Sequence, residues 1–271
     1  MLEICSLNSG SNGNCYYVGN SQEAILVDAG ISCREVEKRM QRQGLQMERV
    51  KAIFVSHEHA DHITGIPRLS KKYQLPVYLT HATYRSAQIP IEEHLLRSFA
   101  EKNPVAVGGL VIDAFRKAHD AKDPHSFFIS GNGVNVGVFT DIGDCCERLE
   151  YFFRKCHAAF LESNYCETML MNGNYPYHLK QRIHGSKGHL SNSQALELFK
   201  AHRSPWLSHL VLSHLSSNNN SPELVERIFK ECAGDTQITV ASRYAETAVI
   251  RIEAKGHETG TGSVGLQLRL F

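Results

Sequence analysis

The chain has 271 residues, 42% hydrophobic and 21% charged, with a formal net charge of +1 when the histidines are neutral. That is the composition of an ordinary globular protein with enough chain to bury a full core, and it excludes a strongly basic one, although a local basic stripe is enough to bind phosphates. No apolar run approaches the ~20 residues that span a bilayer, and the Met1-Leu-Glu-Ile-Cys start shows no signal-peptide pattern, so a cytoplasmic protein without membrane contact is expected.

Near the N-terminus, Ser9-Gly10-Ser11-Asn12-Gly13-Asn14 reads as a Gly-rich loop between two strands. Such a loop is either a plain tight turn or a place where backbone N–H groups meet an anion, with Ser11 and Asn12 as candidate phosphate contacts. Residues 23–28 form a buried strand ending in Asp28, and Ser32 with Glu35 predicts a capping box opening a helix that stops near Gly44. Further strands are predicted from Val50 to Ser56, Pro76 to Thr80, Val111 to Phe115, Val134 to Thr140 and Cys156 to Glu162. A helix opens at Ser191 with Gln194 and runs to about His202. Leu207 to Ser213 is a strand, Ser221-Pro222-Glu223 starts a last helix with proline in its first turn, and Gln237 to Ala241 is a strand. The tail after Lys255 reads as a loop ahead of an apolar Val264–Phe271 finish.

This alternation predicts an α/β layered architecture. No repeat or linker divides the chain, so residues 1–271 are expected to form one domain of two packed halves joined near 110–135. Cys5, Cys15, Cys33, Cys145, Cys146, Cys156, Cys166 and Cys232 form no C-x-x-C pair, which argues for reduced core thiols over a zinc ribbon or a disulfide framework.

Several strands end in a titratable residue: Asp28, His57, Asp141 and His214. The densest such place is Ser56-His57-Glu58-His59-Ala60-Asp61-His62, which offers four potential ligands in six residues after a buried strand. His57 and His59 stand two apart, so an extended backbone aims both imidazoles one way, while Asp61 and His62 can face a second ion as the chain turns. Imidazole and carboxylate suit zinc, manganese or iron. Later residues must complete the coordination, and His119, Asp141 and His214 follow in order near strand ends, each either a ligand or a satisfied buried polar group.

Taken in order, Asp28, the H-x-H-x-D-H segment, His119, Asp141 and His214 resemble the five successive motifs of the metallo-β-lactamase superfamily. The resemblance covers nearly the whole chain and implies a four-layer αββα sandwich with two divalent ions at one edge. It implies that His57, His59 and His119 hold one ion, that Asp61, His62 and His214 hold the other, and that Asp141 bridges. Asp28 would orient a ligand histidine. Within the superfamily, Leu161-Glu162-Ser163-Asn164, Gly188-His189-Leu190-Ser191-Asn192 and Ser213-His214-Leu215-Ser216-Ser217-Asn218-Asn219 resemble the YycJ-like (WalJ-like) nucleases, regarded as DNA exonucleases acting from the 5′ end.

Gly188-His189-Leu190-Ser191-Asn192 also looks like a motif of the larger β-CASP nucleases, and that resemblance places His189 near the substrate, with Ser191 and Asn192 either beside a phosphate or simply capping the next helix. Lys180, Arg182 and Lys187, just before His189, either follow a phosphate backbone or form a solvated face. The chain has no room for the long insertion domain of β-CASP nucleases, and Cys166 stands where an acid is expected. Its thiol is either a ligand or an ordinary side chain.

The expected chemistry is phosphodiester hydrolysis by solvent bridging the ions. Asp61 would take its proton, and His189 or His214 would stabilise or protonate the departing oxygen. The rival readings are a hydrolase of a small ester, thioester, lactone or cyclic phosphodiester, a non-catalytic metal-bound docking module, and a diiron oxidoreductase. No flavin or electron-transfer module accompanies the last.

Overall fold

The computed structural model describes residues 1–254; the expected loop after Lys255 and the Val264–Phe271 segment lie outside the described residues. Two seven-stranded mixed sheets lie face to face. The first contains β1 (Leu2–Asn8), β2 (Cys15–Gly19), β3 (Ala24–Val27), β4 (Val50–Phe54), β5 (Val77–Tyr78) and β6 (Leu96–Arg97). The second contains β7 (Val105–Val107), β8 (Leu110–Arg116), β9 (His125–Gly131), β10 (Val134–Phe139), β11 (Ala158–Glu162), β12 (His209–Ser213) and β13 (Gln237–Val240). The chain passes between sheets through residues 98–104, then returns to add β14 (Ile250–Ile252) antiparallel to β1.

Each sheet is antiparallel on one side and parallel on the other: β3, β4, β5 and β6 run parallel in the first, and β10, β11, β12 and β13 in the second. Parallel strands need crossovers, and these carry the helices that cover the outer faces. On the first sheet lie α1 (Cys33–Arg42), α2 (Ala60–Ile63), α3 (Ile66–Tyr73) and α4 (His81–Ala87). On the second lie α5 (Glu147–Phe153), α8 (Asn192–His202) and α9 (Pro222–Lys230), while α6 (Glu167–Asn172) and α7 (Tyr177–His184) come between β11 and α8, with Leu179, Arg182 and Ile183 of α7 lining a cleft.

Three apolar clusters follow from this layering. Ile4, Tyr16, Val18, Val27 and Phe54 meet Ile112, Phe127, Ile129, Val136 and Phe160 between the sheets. Leu26, Ile53 and Val55 pack under Val36, Met40 and Leu69. Phe139, Leu161 and Leu212 pack under Leu149, Phe153, Leu198, Phe199 and Phe229. A sheet buried on both faces reads as continuous apolar runs, as Ala24–Val27 and Ala158–Leu161 do. The result is the expected αββα sandwich.

Local signals mostly landed where expected. Ser191 opens α8 with a full capping box, and Ser221 caps α9 with Pro222 at its start. Ser32 differs in part. Its hydroxyl accepts from the Glu35 N–H, but the Glu35 carboxylate pairs with Lys38 at 3.3 Å and Arg39 at 3.6 Å instead of reaching back. Two basic side chains one turn ahead outcompete a single N–H for that carboxylate.

Candidate metal centre

The site lies where the C-terminal ends of the parallel strands of both sheets converge. Asp28 follows β3, Asp141 closely follows β10, and His214 follows β12; all three adopt left-handed backbone conformations, with φ of 60°, 54° and 58°. A left-handed turn at a non-glycine residue costs roughly 1 kcal/mol or more, and such strain clusters where a side chain must be aimed against local preference. Here it stops each strand and tips a carboxylate or imidazole into the gap between the sheets. Glycine is needed beside them: a Cβ on Gly30 would sit 1.6 Å from the Asp61 carbonyl oxygen, the atom that accepts the Asn14 N–H at 2.7 Å.

His57, His62, His119 and His214 each have one ring nitrogen committed to a protein acceptor. His62 Nδ1 donates to Asp28 Oδ2 at 2.7 Å. The same carboxylate accepts from the Ser56 hydroxyl at 2.8 Å, leaving that oxygen to accept from His57 Nδ1 at 2.8 Å. His119 Nδ1 donates to the Gly188 carbonyl at 3.0 Å, and His214 Nδ1 donates to Glu162 Oε1 at 2.9 Å. Holding one nitrogen as a donor fixes the tautomer and turns the other toward the common space, as metal-binding histidines require. Asp28 thus fixes His62 directly and His57 through Ser56.

The freed nitrogens converge. His57, His59 and His119 bring ligand atoms within 4.8 Å of one another, as do Asp61, His62 and His214. Asp141 lies between them: its Oδ2 is 3.2 Å from His62 Nε2, and its Oδ1 is 3.3 Å from His214 Nδ1 and 3.9 Å from His119 Nε2. His119 Nε2, His214 Nε2 and Asp141 Oδ2 are buried without a well-directed hydrogen-bond partner. Buried polar atoms are seldom left so, and three of them facing one space fit a cation held by nitrogen and oxygen donors.

Electrostatics divide the histidines. Burial drives His57 well below its ordinary pKa and His119 down to about 4, so both are neutral donors at pH 7. Burial alone would lower His62 as well, but the Asp141 and Asp28 carboxylates outweigh it and hold it at about 10. His214 is raised in the same way by Asp141, Asp61 and Glu162. At neutral pH the ion-free site therefore carries protons on His62 and His214 that a metal must displace, so metal uptake should release protons and apparent affinity should rise with pH. Calorimetric titration with zinc in two buffers of different ionisation enthalpy checks this; heats independent of buffer would mean that His62 and His214 are both already neutral.

The cleft over these groups has a volume of about 250 Å³ and is open to solvent. Ser11, Asp61, Asn164, Tyr175, Arg182 and His189 are among its walls. Ser11 therefore faces the site, whereas Asn12 turns aside and donates to the Arg243 carbonyl at 2.8 Å. Ser191 and Asn192 do not line the cleft. Ser191 caps α8, and Asn192 is buried between Ser163 and Asn220. Cys166 is half-buried at the start of α6 and joins none of the ligand groups, and Lys180 bonds the Met171 carbonyl. Arg182 reaches the rim, donating to Asp120 Oδ2 at 2.6 Å.

Two residues matter more than the motifs suggested. Glu162, fully buried at the end of β11, accepts from His189 Nδ1 at 2.8 Å and His214 through Oε1, and from the Ile142 and Leu190 N–H groups at 2.6 and 3.2 Å through Oε2. Burial would raise its pKa, but His189 and His214 hold it down at about 2. Asn14 reaches Asp61 Oδ2 at 3.3 Å and lies 3.1 Å from His62 Nε2, so the Gly-rich loop supports the ligands themselves. A polar residue closing a buried strand is the signal that would have found Glu162.

Comparison with known proteins identifies the family. The family described as "Beta-lactamase superfamily domain" matches residues 23–215. The chain is 33% identical over 228 residues to exodeoxyribonuclease YycJ of Bacillus anthracis, covering 82% of this chain and 86% of that protein. It is 29% identical over 223 residues to exodeoxyribonuclease WalJ of Streptococcus pneumoniae, covering 80% and 83%. The metallo-β-lactamase fold protein YhfI of Bacillus subtilis superposes with a TM-score of 0.72 at 17% identity, covering 93% of this chain and 100% of that one. The chain therefore belongs to the metallo-β-lactamase superfamily, in the branch of the YycJ and WalJ exodeoxyribonucleases, and is a metal-dependent hydrolase.

Proposed function

We propose that this hydrolase is a two-metal phosphodiesterase of the cytoplasm that degrades DNA from the 5′ end. The observation carrying this reading is the convergence of His57, His59, His119, Asp61, His62 and His214 donor atoms in a chain 33% identical to an exodeoxyribonuclease. His57, His59 and His119 would hold one ion and Asp61, His62 and His214 the other, with Asp141 shared. Divalent ions bound there, zinc or manganese with iron as a third choice, supply an acidified water and offset charge on the phosphate.

The chain's own groups do the rest. Asp61, half-buried at the cleft and steadied by Asn14, orients the attacking water and takes its proton at Oδ2. His189 lines the cleft and is held through Nδ1 by Glu162, which turns Nε2 toward the substrate to protonate the departing oxygen. Arg182 at the rim offers a charge to the phosphate backbone.

The test is hydrolysis of 5′-labelled single- and double-stranded DNA and RNA with zinc or manganese, beside His59→Ala. Metal-dependent release of nucleotides from the 5′ end of DNA, lost in the variant, is the expected result. Turnover of a small ester or cyclic phosphodiester with every strand intact would move the function to that rival chemistry. Preference for RNA would correct the substrate alone.

A further inference from the structure

Beyond His214 the chain enters a second cavity, of about 370 Å³, which the chemistry above does not use. Leu215, Pro222, Val240 and Ala241 give it an apolar lining, and Arg243 and Tyr244 also border it. It adjoins the metal centre directly. Ser216 lines both this cavity and the metal cleft, and Ser9, on its wall, accepts the His214 backbone N–H at 2.7 Å.

The segment carrying Arg243 and Tyr244 is firmly held. The Ser242 carbonyl accepts from the Ser9 N–H at 3.1 Å, the Tyr244 carbonyl from buried Arg39 at 3.2 Å, and the Ser6 carbonyl from the Thr247 N–H at 2.9 Å. Despite this anchoring, the Tyr244 side chain is left in solvent, the residue being 81% exposed. The Arg243 guanidinium lies 3.2 Å from Ser11 Oγ, which borders the metal cleft, so a cation stands between the two spaces. An apolar hollow, an exposed aromatic ring and a cation one residue away match the alternation of base and phosphate along a single strand.

We propose that this cavity is a nucleobase subsite: a base next to the scissile phosphate stacks on Tyr244 over the apolar floor, and Arg243 meets the adjoining phosphate. This rests on the nuclease reading of the metal centre. Because the ring is presented by a pinned backbone, little ordering is needed on binding, and recognition by stacking is indifferent to base identity.

The experiment compares unaltered protein, Tyr244→Ala and Tyr244→Phe, each supplied with zinc or manganese, on a single-stranded DNA oligomer carrying 2-aminopurine and on bis(4-nitrophenyl) phosphate. Tyr244→Ala should raise KM for the oligomer by about tenfold and abolish the stacking-dependent quenching of 2-aminopurine. Tyr244→Phe should preserve both, and the small diester, which needs only the metal centre, should be turned over equally by all three. Unchanged oligomer KM and quenching in Tyr244→Ala would overturn the subsite and leave the nuclease reading intact. Equal slowing on both substrates would make Tyr244 a prop of the metal centre and also overturn the subsite. Turnover of the small diester by unaltered protein that neither binds nor cuts the oligomer would overturn both readings.

Discussion

Asp61→Asn is expected to lower kcat by about 10²–10⁴-fold, the usual range for losing a general base, while leaving the melting temperature of the ion-free protein nearly unchanged. The separation is possible because Asp61 supports the fold and the chemistry through different atoms. Its backbone carbonyl accepts the Asn14 N–H at 2.7 Å, a bond that any residue at this position would supply. Its carboxylate faces the cleft, 3.6 Å from His62 Nε2 and 3.8 Å from His214 Nε2, and accepts from the Asn14 amide at 3.3 Å. Asparagine keeps the volume and an oxygen, but it cannot accept a proton and is a weaker ligand. Turnover measured across a metal titration divides the two roles. A variant that stays slow at saturating metal has lost its base; one restored by excess metal has lost only a ligand.

How much of this site could be read from the residues depended on how each one was placed. His57, His59, Asp61 and His62 were legible because four donors crowd into one short turn after an apolar strand, a pattern that packing alone does not generate. Asp141 and His214 followed from the same logic, as polar residues just beyond apolar runs. Their left-handed backbones were not legible: φ is settled by where the side chain must point, and the neighbouring residues do not declare it. Glu162 obeyed the strand-end rule equally well. In the sequence it stands out only as part of a family motif, whose pattern calls for an acid four residues later at Cys166. Yet the buried carboxylate that meets His189 is Glu162 itself.

Among the elements, the long buried strands and the capped helices α1, α8 and α9 carried strong local signals. The two-residue strands β5 and β6 and the four-residue α2 are too short for any period to register; they exist because β4 and the His57–His62 turn hold them in place. Ser11 and Asn12 show the limit of reading a loop as an anion nest. Only the fold decides which of two adjacent side chains faces the cleft, and here the inward Asn14 bears on the ligands more directly than either.

Glu162→Gln should have the second large effect, and its cause is geometric. The carboxylate accepts four hydrogen bonds: two imidazole N–H groups on Oε1 and two backbone N–H groups on Oε2. A carboxamide has one oxygen, so its NH₂ must confront either the two histidines or the Ile142 and Leu190 N–H groups. Either choice leaves buried donors facing a donor, at about 1–3 kcal/mol for each group left unsatisfied. Facing the backbone, the amide would disturb the approach to Asp141 and α8; facing the rings, it would release His189 and His214 from the orientation that frees their Nε2 atoms. Both outcomes lower turnover, by about 10–100-fold for a residue acting through the groups it positions. Glu162 is a positioning residue, so loss of activity alone does not establish its role. The discriminating readout is the split between kcat and KM at saturating metal, together with the pH profile. If Glu162 orients the proton donor, kcat falls, KM holds, and the pH profile moves. If it only braces the sheet end, the melting temperature falls, but activity measured well below it, with metal saturated, keeps the unaltered kcat and pH profile.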